Sequence, residues 1–259
     1  MIKDLTFPQQ SLLFAQFSEI AYLEPDEANP EFAKLGYKAE FIDEKQSEAY
    51  LVSDKNDFII VCRGTQPNKL SDILADLRAI PVKSTSGIGL VHKGFKDSVD
   101  HIWPKLEPML TKIGKKKSVW CTGHSLGAAM ATLIAVRCRR LPDTPNPEGL
   151  FTYGSPRVGD NAYVGLMTGL DLVHHRWVNN ADIVTKVPAL PFFHYGELHY
   201  MNHWGNVREM TGWQMFKDRL RGFWVGLKRG SISYFGNHSI TRYRTNLENF
   251  AAGQEREQI

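Results

Sequence analysis

A tight strand-to-helix turn is written into one stretch of this chain, Ser118-Val119-Trp120-Cys121-Thr122-Gly123-His124-Ser125-Leu126-Gly127-Ala128-Ala129-Met130-Ala131, and few folds can house it. The first part is apolar and rich in β-formers, which predicts a buried strand. The last part, Leu126 to Arg137, is Ala-rich and predicts a helix. Between them Gly123-His124-Ser125-Leu126-Gly127 has the G-x-S-x-G spacing of an elbow that lifts a serine hydroxyl out of a sheet. The residues two before and two after Ser125 must approach each other and the neighbouring strands, so neither tolerates a Cβ. Ala128, Ala131 and Ala135 then allow the helix to lie close to the sheet. Ser125 is therefore a candidate nucleophile.

The 259 residues suit one large α/β domain and bury a core without disulfide staples. The three cysteines, Cys62, Cys121 and Cys138, have no metal-like spacing and fall in core strands and a helix, so they read as reduced structural thiols. A net charge of +3 is too small to point to nucleic acid as a partner. Neither an apolar leader region near Met1 nor a run of about 18 apolar residues occurs in the sequence. That pattern favours a cytoplasmic location, or export without a cleaved signal.

Phe7 to Tyr22 has helical periodicity and predicts a helix over one sheet edge. Glu24 to Pro30 reads as a polar loop. Tyr37 to Ile42, Glu48 to Ser53 and Phe58 to Cys62 read as strands, the last apolar throughout, as a strand covered on both faces should be. It ends in Arg63-Gly64-Thr65. Ligands of open α/β sheets bind beyond the carboxyl ends of strands, where the Thr65 N–H could face a substrate oxygen, although taken alone the stretch reads as a simple loop with Gly64 as its turn residue. Ser71 to Ile80 is a short amphipathic helix stopped by Pro81, with Ile73, Leu74, Leu77 and Ile80 on one stripe. That stripe fits a core-facing helix or a lid whose apolar face turns outward. Lys96 to Ile113 reads as a helix broken by Pro104 and Pro108. His92 reads as a structural histidine.

Leu150 to Gly154 and Asp171 to Val178 read as further strands, and Asn161 to Leu170 as a helix. Asp182 follows the second of these strands, where the acid of a serine–histidine–acid set belongs, and taken alone it reads equally as the cap of a turn. Phe192 to Trp204 carries His194, His199 and His203. With no cysteine among them and Glu197 the one nearby carboxylate, a packed loop and strand is the preferred reading over a metal site. Trp213 to Leu227 is a basic amphipathic segment, with Lys217, Arg219, Arg221, Lys228 and Arg229 beside Trp213, Phe216, Leu220 and Trp224. Lipid contact and core packing with snorkelling basic stems both fit it. His238 stands in a Gly-Asn loop ahead of a terminal helix.

Taken in order, these pieces resemble the class 3, fungal-type triacylglycerol lipases. The resemblance is carried by Arg63-Gly64-Thr65, Ala75-Asp76-Leu77, Val91-His92-Lys93-Gly94-Phe95, Gly123-His124-Ser125-Leu126-Gly127-Ala128, Tyr153-Gly154-Ser155-Pro156-Arg157-Val158-Gly159-Asp160, and Asp182-Ile183-Val184 with His238. It runs from about Tyr37 to Tyr243. It implies one α/β-hydrolase domain over 1–259, with a mostly parallel central sheet flanked by helices and a short lid helix over 68–81. It implies Ser125 as nucleophile, Asp182 as the acid and His238 as the base, with the N–H groups of Thr65 and Leu126 as the oxyanion hole. The Ser…Asp…His order places His238 ahead of its competitors His194, His199 and His203. The implied activity is hydrolysis of acylglycerol esters through an acyl-enzyme, with phospholipase A1 or soluble-ester carboxylesterase activity, or an inactive lipid-binding role, as alternatives. That chemistry calls for no metal or organic cofactor. The implied partners are a lipid or ester substrate and a lipid–water interface met through 68–81 and 213–230. The chain departs from the family at Ala128, where a second glycine is usual, and in lacking the disulfides of the fungal members.

Overall fold

The strand Asp57–Cys62 (β3) and the strand Ser118–His124 (β6) run parallel at the centre of the protein, Cys62 opposite Gly123. The computed structural model describes residues 1–66, 80–228 and 236–257, with side chains left out at 222–228 and 254–257. Around the central pair lie β1 (Lys38–Glu44), β2 (Ser47–Ser53), β7 (Pro147–Tyr153), β8 (His174–Asn179) and β9 (Glu197–Met201). Among the described residues these form one seven-stranded sheet in the order β1-β2-β3-β6-β7-β8-β9. β1, β2 and β3 are joined antiparallel, and every pairing from β3 to β9 is parallel. Parallel strands need crossovers, and helices supply them on both faces.

The alternation within β3 builds two cores. Ile59 and Val61 face the layer formed by α1 (Phe7–Ile20) and the terminal helix α7 (Ile240–Glu257), with Phe14, Phe17, Trp120, Tyr243 and Leu247. Ile60 and Cys62 face α3 (Lys93–Ile113) and α4 (Leu126–Arg140), with Val99, Leu106, Cys121 and Ile134. Every residue of β3 is buried, as its unbroken apolar run predicts. Ala128, Ala131 and Ala135 of α4 are fully buried, so the helix lies close to the sheet. The three cysteines are buried and unpaired. Burial pushes their thiols up, Cys138 to about 12, so none offers a thiolate at neutral pH.

Two local expectations fail for stated reasons. Glu24 to Pro30 is not a loop: α2 spans Pro25–Lys34. Pro25 occupies the first helical position, Asp26 and Glu27 complement the helix dipole, and Ala28 and Phe32, four apart, are both buried. The prolines of the long helix do not break it either, since α3 runs through Pro104 and Pro108. Both prolines stand on the exposed side of the helix, where a missing N–H costs least. A short pair, β4 (Pro81–Lys83) and β5 (Leu90–His92), lies before α3. The remaining helices are α5 (Asn161–Gly169) and α6 (Gly212–Lys228). The parallel sheet with helices on both faces, entered through a serine elbow, is the α/β-hydrolase architecture.

Candidate active site

Ser125 sits between β6 and α4 at φ 59 and ψ −129, a conformation a side-chain-bearing residue adopts only where its surroundings force it. The surroundings are explicit. A Cβ on Gly123 would lie 2.4 Å from Gly127 O, and one on Gly127 would lie 2.2 Å from Cys62 O. The elbow closes only because both positions lack a side chain, and it packs against the end of β3. Ser125 N–H donates to Tyr153 O at 3.0 Å, which ties the turn to β7. Leu126 is the first residue of α4, so its N–H has no carbonyl one turn back to bond. Thr65 follows the carboxyl end of β3, against which that first turn rests.

Asp182 follows β8 and is fully buried. Its carboxylate accepts from His238 Nδ1 at 2.8 and 3.0 Å, from the Tyr243 hydroxyl at 2.7 Å and from the Val184 N–H at 2.9 Å. Donation through Nδ1 leaves the lone pair of His238 on Nε2, which is buried and has no hydrogen-bond partner among the described residues. The ring is held beside the elbow: it lies 4.4 Å, centroid to centroid, from the ring of His124, the neighbour of Ser125. Gly154, at the end of β7, lies under the pair. A Cβ there would come within 2.7 Å of Asp182 Oδ2 and 2.8 Å of the His238 ring.

The loop carrying His238 is clamped through two successive carbonyls. Asn179 Nδ2 donates to Asn237 O at 3.0 Å, and His124 Nε2 donates to His238 O at 2.6 Å. A carbonyl only accepts, so the His124 proton is on Nε2 and its Nδ1 accepts from the Tyr22 hydroxyl at 2.7 Å. Burial first, and the neighbouring His238 second, hold His124 well below the ordinary histidine range. Arg63, itself buried, donates to Tyr22 O at 3.0 Å and pairs with Glu24 and Glu48, each at 2.9 Å. Tyr22 and Tyr243 do not stand out in the sequence, and Gly154 does so only as part of a motif, since nothing local marks a residue whose partner is far away along the chain. His124 is the exception, being fixed beside the serine.

The competing histidines are spoken for. His194 Nε2 donates to Thr185 O at 2.7 Å, His203 Nδ1 bonds Asp218 at 2.6 Å, and His199 faces His175. His92 packs on Phe95 and Phe192. The expected lid, 68–81, lies outside the described residues except for Ile80 and Pro81. Ile80 is 48% exposed, and its carbonyl accepts from the Lys93 N–H at 2.9 Å.

The chain is similar to known proteins. The family profile described as Lipase (class 3) matches residues 59–192, just over half of the chain. The lipase of Rhizomucor miehei is 35% identical over 150 residues, which cover 55% of this chain and 41% of that protein. The toxin TseL of Vibrio cholerae is 35% identical over 121 residues, 46% of this chain and 18% of that protein. The chain thus spans less than half the length of these curated relatives. A solved structure of the Rhizomucor miehei triacylglyceride lipase superposes with a TM-score of 0.67 at 27% identity, covering 76% of this chain and 82% of that one.

Proposed function

The chain belongs to the class 3 lipase family, and from that premise we propose that it hydrolyses carboxylic esters of acylglycerols through an acyl-enzyme on Ser125. The observation that carries the reading is the buried Asp182–His238 pair, whose imidazole lies 4.4 Å from the His124 ring of the strained serine elbow. Ser125 Oγ attacks the ester carbonyl carbon while its proton passes to His238 Nε2. Asp182 holds the imidazole in the required tautomer and stabilises the imidazolium that forms. The N–H groups of Thr65 and Leu126 receive the oxyanion, and losing one such donor costs on the order of 3 kcal/mol in the barrier. The imidazolium returns its proton to the leaving alcohol. Water, deprotonated by the same nitrogen, then releases the fatty acid.

Contact with a lipid surface is part of this reading. Among the described side chains of α6, 212–221, the buried one is Asp218, while Trp213, Phe216 and Leu220 are 64%, 50% and 48% exposed. Trp213 and Phe216 stack at 5.5 Å, and Lys217 lies over the Trp213 ring at 5.2 Å. An apolar ridge edged by cations suits an anionic lipid surface. With the 68–81 segment it forms the interfacial side of the proposal.

Ser125→Ala is the first test, with p-nitrophenyl butyrate and palmitate as substrates and a fluorophosphonate probe as the label. Loss of turnover with both esters and loss of labelling are expected. Undiminished turnover in the variant overturns the nucleophile assignment. A wild-type protein that never labels points to the inactive, lipid-binding alternative. Activity on tributyrin that rises steeply above its solubility limit is expected, and a smooth saturation curve through that limit argues against the interfacial part.

A further inference from the structure

At the edge of the sheet β8 and β9 run parallel in a register that sets His175 against Glu197 and Trp177 against His199. Side chains two apart share a face of a strand, so the two histidines and the glutamate project to the same side. His175 Nδ1 and His199 Nε2 are 3.0 Å apart, and Glu197 Oε2 lies 3.4 Å from the first and 3.7 Å from the second. Three ligand atoms each about 2.0–2.1 Å from a tetrahedral zinc ion stand about 3.3–3.4 Å from one another. The observed triangle brackets that figure. We propose that His175, Glu197 and His199 form a three-ligand site for a divalent transition-metal ion of the zinc class, with water as the fourth ligand.

The donors are held before any ion arrives. Phe7, the first residue of α1, lies against both imidazoles at 4.8 and 4.9 Å, and Trp177 stacks on His199 at 4.8 Å. The histidine side chains are only 19% and 13% exposed, whereas Glu197 is 67% exposed and is free to adjust its reach. Two nitrogens and one carboxylate oxygen are a donor set suited to zinc. The cluster lies at the amino-terminal ends of β8 and β9, whereas Ser125, Asp182 and His238 lie beyond the carboxyl ends of the strands. The ion therefore takes no part in ester cleavage. It ties β8 to β9 at the edge of the sheet, under the Phe7 ring that begins α1.

The test uses the full chain, stripped with chelator and dialysed against zinc or cobalt(II). The expected result is one equivalent of zinc per chain, a higher Tm with metal, and the visible absorption of tetrahedral cobalt. Glu197→Gln is expected to weaken binding roughly tenfold or more and to suppress the cobalt spectrum. His199→Phe keeps a flat ring between Phe7 and Trp177 and is expected to abolish binding. If His199→Phe does not fold, Glu197→Gln decides, because its exposed side chain contributes little to packing. Absence of tight binding by the wild type overturns the proposal, and so does undiminished binding in Glu197→Gln.

Discussion

His124 Nε2 donates to the backbone carbonyl of His238 at 2.6 Å, so the residue beside Ser125, the proposed nucleophile, holds the loop of the proposed base. The bond joins positions 114 residues apart, and a second bond, from Tyr22 to His124 Nδ1, fixes the tautomer that makes it. His124→Phe keeps the bulk of the ring and strands the carbonyl, which costs about 1–3 kcal/mol of stability. A misplaced imidazole is expected to lower kcat roughly a hundredfold with little change in KM. Steady-state kinetics beside active-site titration measure this. An unchanged kcat removes His124 from its positioning role.

Gly154 bears on the same pair from below. It combines φ +58 with space for no Cβ, since the nearest atoms belong to Asp182 and His238. Gly154→Ala is expected to cost about 1–2 kcal/mol in backbone strain alone. It should also push the acid and base apart, with a loss of activity larger than the loss of stability explains. Urea unfolding and ester turnover, run on the same preparation, separate the two effects.

Tyr243 donates to Asp182 and accepts from the Asn179 N–H at 2.9 Å. Tyr243→Phe removes a charge-assisted hydrogen bond and leaves a buried N–H without its partner, a loss of about 2–3 kcal/mol. The two bonds from His238 remain. Turnover is therefore expected to fall less than tenfold while Tm drops by several degrees. A collapse of kcat with Tm unchanged would mean that the hydroxyl acts in the chemistry itself.

Acid should weaken the fold earlier than its carboxylates require. Burial holds His124 well below the ordinary value of 6.5, and burial aided by Arg176 pushes His194 down to about 3. The folded protein keeps both rings neutral, whereas the unfolded chain takes up protons as pH falls through 6.5. Stability therefore falls with falling pH from about 6.5, by roughly 1 kcal/mol per pH unit for each ring, and for His194 the decline ends near pH 3. Urea midpoints between pH 7.5 and 5.0, where carboxylates are still ionised, measure it. His194→Gln is expected to flatten the slope, and a midpoint that holds constant from 7.5 to 5.0 refutes this account.

Much of the site is legible in one dimension. The serine elbow, the all-apolar strand before Arg63, the Asp182 position and the order Ser…Asp…His are each readable from a few neighbouring residues. The choice among four histidines is not. His194, His199 and His203 share the aromatic setting that makes them plausible, and only contacts with Thr185, His175 and Asp218 remove them. The face of α6 is equally hidden. Its periodicity is compatible with an inward apolar stripe, yet Asp218 turns inward because His203 and Tyr200 supply its donors. Pro104 and Pro108 likewise read as breaks until their place on the exposed side of the helix is known.

Sterics and alternation act over a handful of residues, so the chain alone determined its elbow, its central strands and the placing of Ser125 at the turn. The partnership of Asp182 with His238, the clamp from His124, the space kept by Gly154 and the meeting of His175, Glu197 and His199 belong to the tertiary structure. Apart from the short reach from Glu197 to His199, these join segments 22 to 114 residues apart, and a side chain has no partner across such a distance until the sheet and its crossovers bring the loops together.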